Sequence, residues 1–155
     1  MFREMRRKEK QLPMEETIKM LEKMSHGTLA LAGDDGYPYS LPISYAYKDN
    51  KIYFHGAMQG HKIDSIIKEP KVSFSVIEQD TVLPEKFDTV YRSAVIFGKA
   101  RILKDKNEKR AGLMALIEKY SSAYIESGEK YIDKAIDAVN VIEIVIDHMT
   151  GKEGK

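Results

Sequence analysis

Apolar residues recur on one helical face after Pro13, at Ile18, Leu21 and Met24, and the run stops at Ser25-His26-Gly27, which predicts a first helix. Thr28 to Ala32 then reads as a short strand closed by a turn around Asp35-Gly36. From Tyr39 to Tyr47 the alternation is strict but unequal. Ser40, Pro42, Ser44 and Ala46 fall on one side, and Tyr39, Leu41, Ile43, Tyr45 and Tyr47 on the other. Solvent faces of strands usually carry charges or Thr, and this small face carries none. Two readings stay open: a half-buried strand with an unusual solvent face, or a strand against which something flat lies. Pro42 cannot donate to a ladder, so the strand must be at an edge or face an opening there.

Further on, Ile52 and Phe54 point to the core while Tyr53 and His55 share the opposite side, His55 standing at the strand's end before Gly56. After Gly60 a helix is predicted from about His61 to Lys68, with Ile63, Ile66 and Ile67 inward, stopped by Pro70. Lys71 to Ile77 is a strand, Glu78 to Asp88 a polar crossing loop, and Thr89 to Leu103 the longest strand, with Gly98 marking a bulge or bend. A helix over Lys106 to Tyr120 turns Ala111, Met114, Leu116 and Ile117 toward the core. A shorter helix covers Gly128 to Asp137, and a last strand runs from Asn140 to Asp147. Tight turns before the final pair make the strands mainly antiparallel. The pattern predicts a mainly β fold, a small barrel with flanking helices outside it. We expect one domain over residues 1–155, the first twelve a flexible basic tail.

Composition narrows the chemistry. The 25 Lys and Arg nearly cancel the 24 Asp and Glu, so no global field advertises nucleic acid or an anionic membrane, and an anion site must be local. The absence of cysteine excludes a disulfide scaffold and thiol chemistry. No apolar run approaches the ~20 residues of a membrane span, and the charged start lacks a following apolar signal region; a soluble, cytoplasmic protein is the expectation.

The basic side chains of residues 53–64, YFHGAMQGHKID, raise the sharpest question. A lysine in a helix's first turn is electrostatically misplaced, because the N-terminal amides already carry about half a positive charge. Lys62 is either an exposed lysine offset by Asp64, or part of a phosphate grip with His61 and the free amides. A metal held by His55 and His61 is the third reading, and it lacks a third ligand of matching spacing. No nucleophile elbow, Walker loop or paired-carboxylate motif occurs.

The succession DGYPYSLPISYAY, KIYFHGAMQGHKID, PKVSFSV and YRSAVIFGKARIL resembles the flavin-binding split-barrel proteins related to pyridoxamine 5'-phosphate oxidase, and among them the nitroimidazole-resistance (Nim-type) proteins. The likeness runs from the first helix to the closing HMTGKE. It implies an antiparallel six-stranded split β-barrel and a homodimer with FMN at each of two interface sites. Ser40, Pro42, Ile43 and Ser44 would lie along the isoalloxazine and ribityl chain, and His55-Gly56 would approach the flavin. His61 and Lys62 would bind the phosphate, and Ser93, with Arg92 beside it, would contact the ring. Tyr45, Tyr47 and Tyr91 are candidate interface residues. Two departures matter: Leu41 stands near where the oxidases carry a phosphate-binding arginine, and their arginine-containing C-terminal segment is missing. True pyridoxamine phosphate oxidase activity is therefore not expected. The resemblance implies an FMN-dependent oxidoreductase reducing a nitroaromatic or quinone-like small molecule, with NAD(P)H as a candidate donor and His55 as the catalytic candidate, at the flavin edge or polarising the substrate, where it could supply a proton. The alternatives are a non-catalytic flavin storage or sensor module and a haem-binding relative on the same fold.

Overall fold

In the computed structural model, which describes residues 1–155, the chain forms α1 (Met14–Lys23), β1 (His26–Ala32), β2 (Pro38–Ser44), β3 (Ala46–Lys48), β4 (Lys51–Gly56) and α2 (His61–Lys68). It continues as β5 (Lys71–Leu83), β6 (Asp88–Ile102), α3 (Lys106–Tyr120), α4 (Ile125–Ala135) and β7 (Asn140–Gly154). The strands form one antiparallel sheet in the order β2-β1-β5-β6-β7-β4-β3. The fold is mainly β with flanking helices.

The expected six-stranded barrel is corrected to a seven-stranded sheet that does not close. The cause is Tyr45. The predicted strand from Tyr39 to Tyr47 breaks there, its first half pairing with β1 and its second with β4, at opposite edges of the sheet. The Tyr45 backbone is served mainly from α3, its amide also reaching the Ser25 carbonyl beside β1 (3.4 Å). Its amide donates to Tyr120 Oη (3.1 Å), and its carbonyl accepts from Lys119 Nζ (3.1 Å) and lies within reach of the Tyr120 hydroxyl. Lys119 also donates to the Met24 carbonyl, and Tyr120 to that of Ser25. These groups fill the seam, so the open ladder leaves no backbone polar group of Tyr45 orphaned.

Inside the sheet, Leu29, Ile52, Phe54, Phe74, Ile96 and Ile142 form the main core, and Met20 and Leu21 of α1 close one end. Tyr45 crosses this core edge-on to Phe74 (4.9 Å) and donates its hydroxyl to the Leu21 carbonyl (2.6 Å). A second core lies outside β4 and β7, where Tyr53 and Val141 meet Leu113, Leu116 and Ile132 of α3 and α4. The helix α3 starts cleanly because Asp105 accepts from the Glu108 amide (3.0 Å). Buried Glu143 on β7 ties the two layers. It accepts from Arg101 (3.0 Å) and Tyr53 (3.2 Å), and Arg101 also pairs with Glu108 of α3.

Other expectations differ in detail. The Glu78–Asp88 loop is a two-stranded ribbon, because β5 and β6 continue their pairing to Leu83↔Asp88 after a register shift near Glu78. Its polar residues need no solvent-free face, and Val82 and Phe87 remain exposed. The bulge at Gly98 is present, and β7 runs on to Gly154. Ile67 is 70% exposed, and Ala111 is exposed while Leu113 turns inward. The first twelve residues lie against the sheet. Leu12 is buried and its amide donates to Gly151 (2.9 Å), Gln11 bridges to Lys152, and Phe2 stacks on His148 at 4.9 Å. No helix is long and apolar enough to cross a membrane.

Candidate functional site

Along β2 the unequal alternation acquires a place. Ile43 is buried in the core, whereas Ser40, Pro42 and Ser44 are exposed on the other side. The strand is a sheet edge, so Pro42, opposite Thr28, breaks no ladder on its outer side. Towards the other edge of the sheet, β4 finishes with His55 and Gly56 opposite Val141 and Asn140. The Asn140 amide donates to the carbonyls of Ala57 (3.3 Å) and Met58 (3.0 Å), which fixes the loop that turns into α2. Gly60 precedes that helix with φ +145°, a conformation that side chains rarely adopt. No side chain caps the helix, so its first amides have no side-chain partner.

A cavity of about 490 Å³ lies between these parts. Pro42, Ile43 and Ser44 line one wall, His55 and Lys62 the base, and Leu116, Ile117, Tyr120 and Ser121 from the end of α3 the opposite wall. Lys62 reaches back from α2 so far that a Cβ at Gly56 would stand 3.3 Å from its Nζ, and its ammonium lies 5.5 Å from the Phe54 ring centre. No carboxylate lines the cavity. Partial desolvation, and then the Lys62 charge, hold the His55 imidazole below its ordinary 6.5, favouring the neutral ring. The arrangement offers a fixed positive charge, a neutral imidazole and an uncharged strand face.

Of the residues singled out in the sequence, the structure brings Pro42, Ile43, Ser44, His55 and Lys62 to this cavity, with Gly56 directly behind Lys62. Ser40 lies one step further along the same strand face. His61 is turned aside. Its ring stacks on Tyr39 at 4.0 Å and 9°, with Nε2 3.7 Å from Asp34, so it clasps the start of α2 to the turn before β2. Arg92 and Ser93 are not at the cavity of their own chain. Arg92 is held by Glu78 (3.3 Å) and Glu153 (2.5 Å), and Ser93 borders a separate hollow. His55 and His61 find no third metal-ligating side chain; no group of three such residues comes together. The α3 wall escaped the sequence reading. Its one signal was the adjacency of Lys119, Tyr120 and Ser121 to apolar Leu116 and Ile117 at a helix end, which spacing alone reads as an ordinary amphipathic turn.

The family model of pyridoxamine 5'-phosphate oxidase matches residues 13–153. A candidate 5-nitroimidazole antibiotic resistance protein of Bacteroides thetaiotaomicron has a similar fold, with a TM-score of 0.80 at 22% identity over 92% of this chain and 86% of that one. A FAD-binding protein of Mesorhizobium loti is 25% identical with a TM-score of 0.68, over 94% of this chain and 97% of that one. An uncharacterised protein of Rhizobium meliloti (strain 1021) is 28% identical over 130 residues, 80% of this chain and 81% of that protein.

Proposed function

Because this chain belongs to the pyridoxamine 5'-phosphate oxidase family, we propose that it is a flavin-dependent oxidoreductase that holds FMN between β2, α2 and α3 and reduces a small nitroaromatic or quinone-like molecule. The observation that carries this reading is the Lys62 ammonium set at the base of a carboxylate-free cavity beside an uncharged strand face. Lys62 and the free amides of α2 would meet the phosphate, charge and dipole acting together. Pro42 and Ser44 present no bulk to a flat ring. Bound FMN would supply the redox chemistry that side chains lack. His55, neutral and open to the cavity, is placed to accept a proton, and once protonated by solvent its imidazolium can pass that proton to a reduced acceptor.

The reading includes a homodimer. One side of the cavity is open in a single chain, and Arg92 and Ser93, remote from it in cis, are residues a second copy would bring. Ile77, Val95 and Phe97 are exposed along β5 and β6, apolar surface that a two-fold contact would cover. Sedimentation at micromolar concentration should give twice the 17.7 kDa chain mass, with flavin released on dissociation.

An absorption spectrum of the purified protein, with mass analysis of the released ligand, tests the central claim. FMN is the expected ligand. FAD is the second reading, favoured by the likeness to the Mesorhizobium loti protein, and mass separates the two. Protein that stays colourless and takes up neither flavin would sink both. Turnover with NAD(P)H and a nitro acceptor then separates a reductase from a carrier.

A further inference from the structure

Tyr120, the last residue of α3, is the only phenol among the cavity walls. Its hydroxyl is engaged within the fold. It accepts from the Tyr45 amide (3.1 Å) and gives its single proton to the Ser25 carbonyl, with the Tyr45 carbonyl also in reach. Burial raises the phenol's pKa, so that proton stays in place at neutral pH. The residue is nonetheless 44% exposed, and with its hydroxyl end held in the seam between β2 and β3 the open part is the ring. Leu116 and Ile117, four and three positions earlier, share its helical face and extend this apolar wall. The wall is supported from both neighbours. A Cβ at Gly128 of α4 would stand 2.6 Å from the Ile117 side chain, and the Lys119 ammonium, fixed on the Met24 and Tyr45 carbonyls, lies 5.3 Å from the Tyr120 ring centre. A ligand whose phosphate is drawn to Lys62 at the base leaves its ring system to the space between this wall and Pro42 and Ser44.

We propose that Tyr120 seats the isoalloxazine: its ring face packs on the flat ring system opposite Pro42 and Ser44, while its hydroxyl fixes the ring's orientation from the seam and takes no part in ligand recognition. This rests on the flavin reading and divides the ligand between two residues, the phosphate to Lys62 and the ring to Tyr120. An aromatic wall gains over an aliphatic one through offset stacking with another π-system.

The test compares FMN with riboflavin on the full-length protein by fluorescence titration, in the parent, Tyr120→Leu and Tyr120→Phe. Tyr120→Leu should weaken both flavins by the same factor, roughly ten-fold, because both carry the ring, whereas a phosphate contact would weaken FMN alone. Tyr120→Phe keeps the ring and should bind both within about two-fold of the parent, while its unfolding midpoint in denaturant falls because the seam groups lose their partner. Emission is a second readout. A phenol in contact with a flavin quenches it by lending one electron and recovering it, which a phenyl ring does far less readily. Bound-flavin emission should therefore rise in Tyr120→Phe at unchanged affinity, and this decides the matter if Tyr120→Leu does not fold. Affinities in Tyr120→Leu equal to the parent's, a loss for FMN only, a loss in Tyr120→Phe as large as in Tyr120→Leu, or emission unchanged in Tyr120→Phe would each overturn the role given to Tyr120 and leave the flavin reading standing. Parent protein that takes up neither flavin would overturn the flavin reading itself, and this inference with it.

Discussion

Gly56 and Lys62 face each other across the turn into α2: a methyl group at Gly56 would meet the lysine Nζ at 3.3 Å. The group in the way is the far end of a flexible side chain, so Gly56→Ala should leave stability within about 0.5 kcal/mol of the parent while shifting the ammonium by a few tenths of an ångström. Flavin affinity should fall, though less than when the charge is removed. Thermal melting and a flavin titration check the two halves; a large loss of stability would show that the backbone, not the lysine, is what needs glycine.

Removing the charge is the stronger test. Lys62→Ala should weaken FMN binding by roughly 1.5–3 kcal/mol, the range for hydrogen bonds to charged groups, and weaken riboflavin much less because riboflavin lacks the phosphate. Fluorescence titration of both ligands gives the comparison. Equal losses would mean that Lys62 supports the ring or the wall instead.

His55 supplies a pH signature. Its pKa is depressed, so the native state disfavours the imidazolium, and its contribution to stability is present above pH 6.5 and lost as pH falls from there through the folded value. Proton NMR of the imidazole should show a midpoint below 6.5. In Lys62→Ala the midpoint should rise only part of the way back, since burial, the larger cause, stays. A midpoint unmoved by that substitution would remove Lys62 from the environment of His55.

The seam between β2 and β3 depends on Lys119. Its ammonium is 3.9 Å from the Tyr45 ring centre and serves the carbonyls of Met24 and Tyr45, while burial brings its pKa down to about 8. Lys119→Met keeps the stem and deletes the donor, and should cost about 1–3 kcal/mol by leaving Met24 without its partner. Denaturant unfolding reads the loss. Hydrogen exchange at the Tyr45 amide should accelerate in the same variant, and unchanged exchange would place the seam's strength in Tyr120 alone.

Much of this molecule was legible in its sequence, for reasons that differ by region. Strict alternation from Tyr39 to Ser44 and the break at Gly56 and Gly60 are local signals, and they led to the cavity's β2 wall, His55 and Lys62. Tyr45 was not legible, because an aromatic residue in an alternating run looks the same whether its backbone pairs with a strand or with a tyrosine 75 positions later. The same distance hid the α3 wall. The stacking of His61 on Tyr39 was not legible, because its adjacency to Lys62 says nothing about which way each ring or ammonium turns around a helix. Arg92 beside Ser93 looked available, and only the fold brings Glu78 and Glu153 to it.

The single residue between β2 and β3 has a mechanical meaning. These strands sit at opposite ends of the ladder, yet the chain allows them no slack. A one-residue slip of β2 against β1 would turn its small face inward, and the displaced length could be taken up only by β3 against β4. The two outermost registers are thus geared to each other: whichever edge zips first dictates where the other must begin.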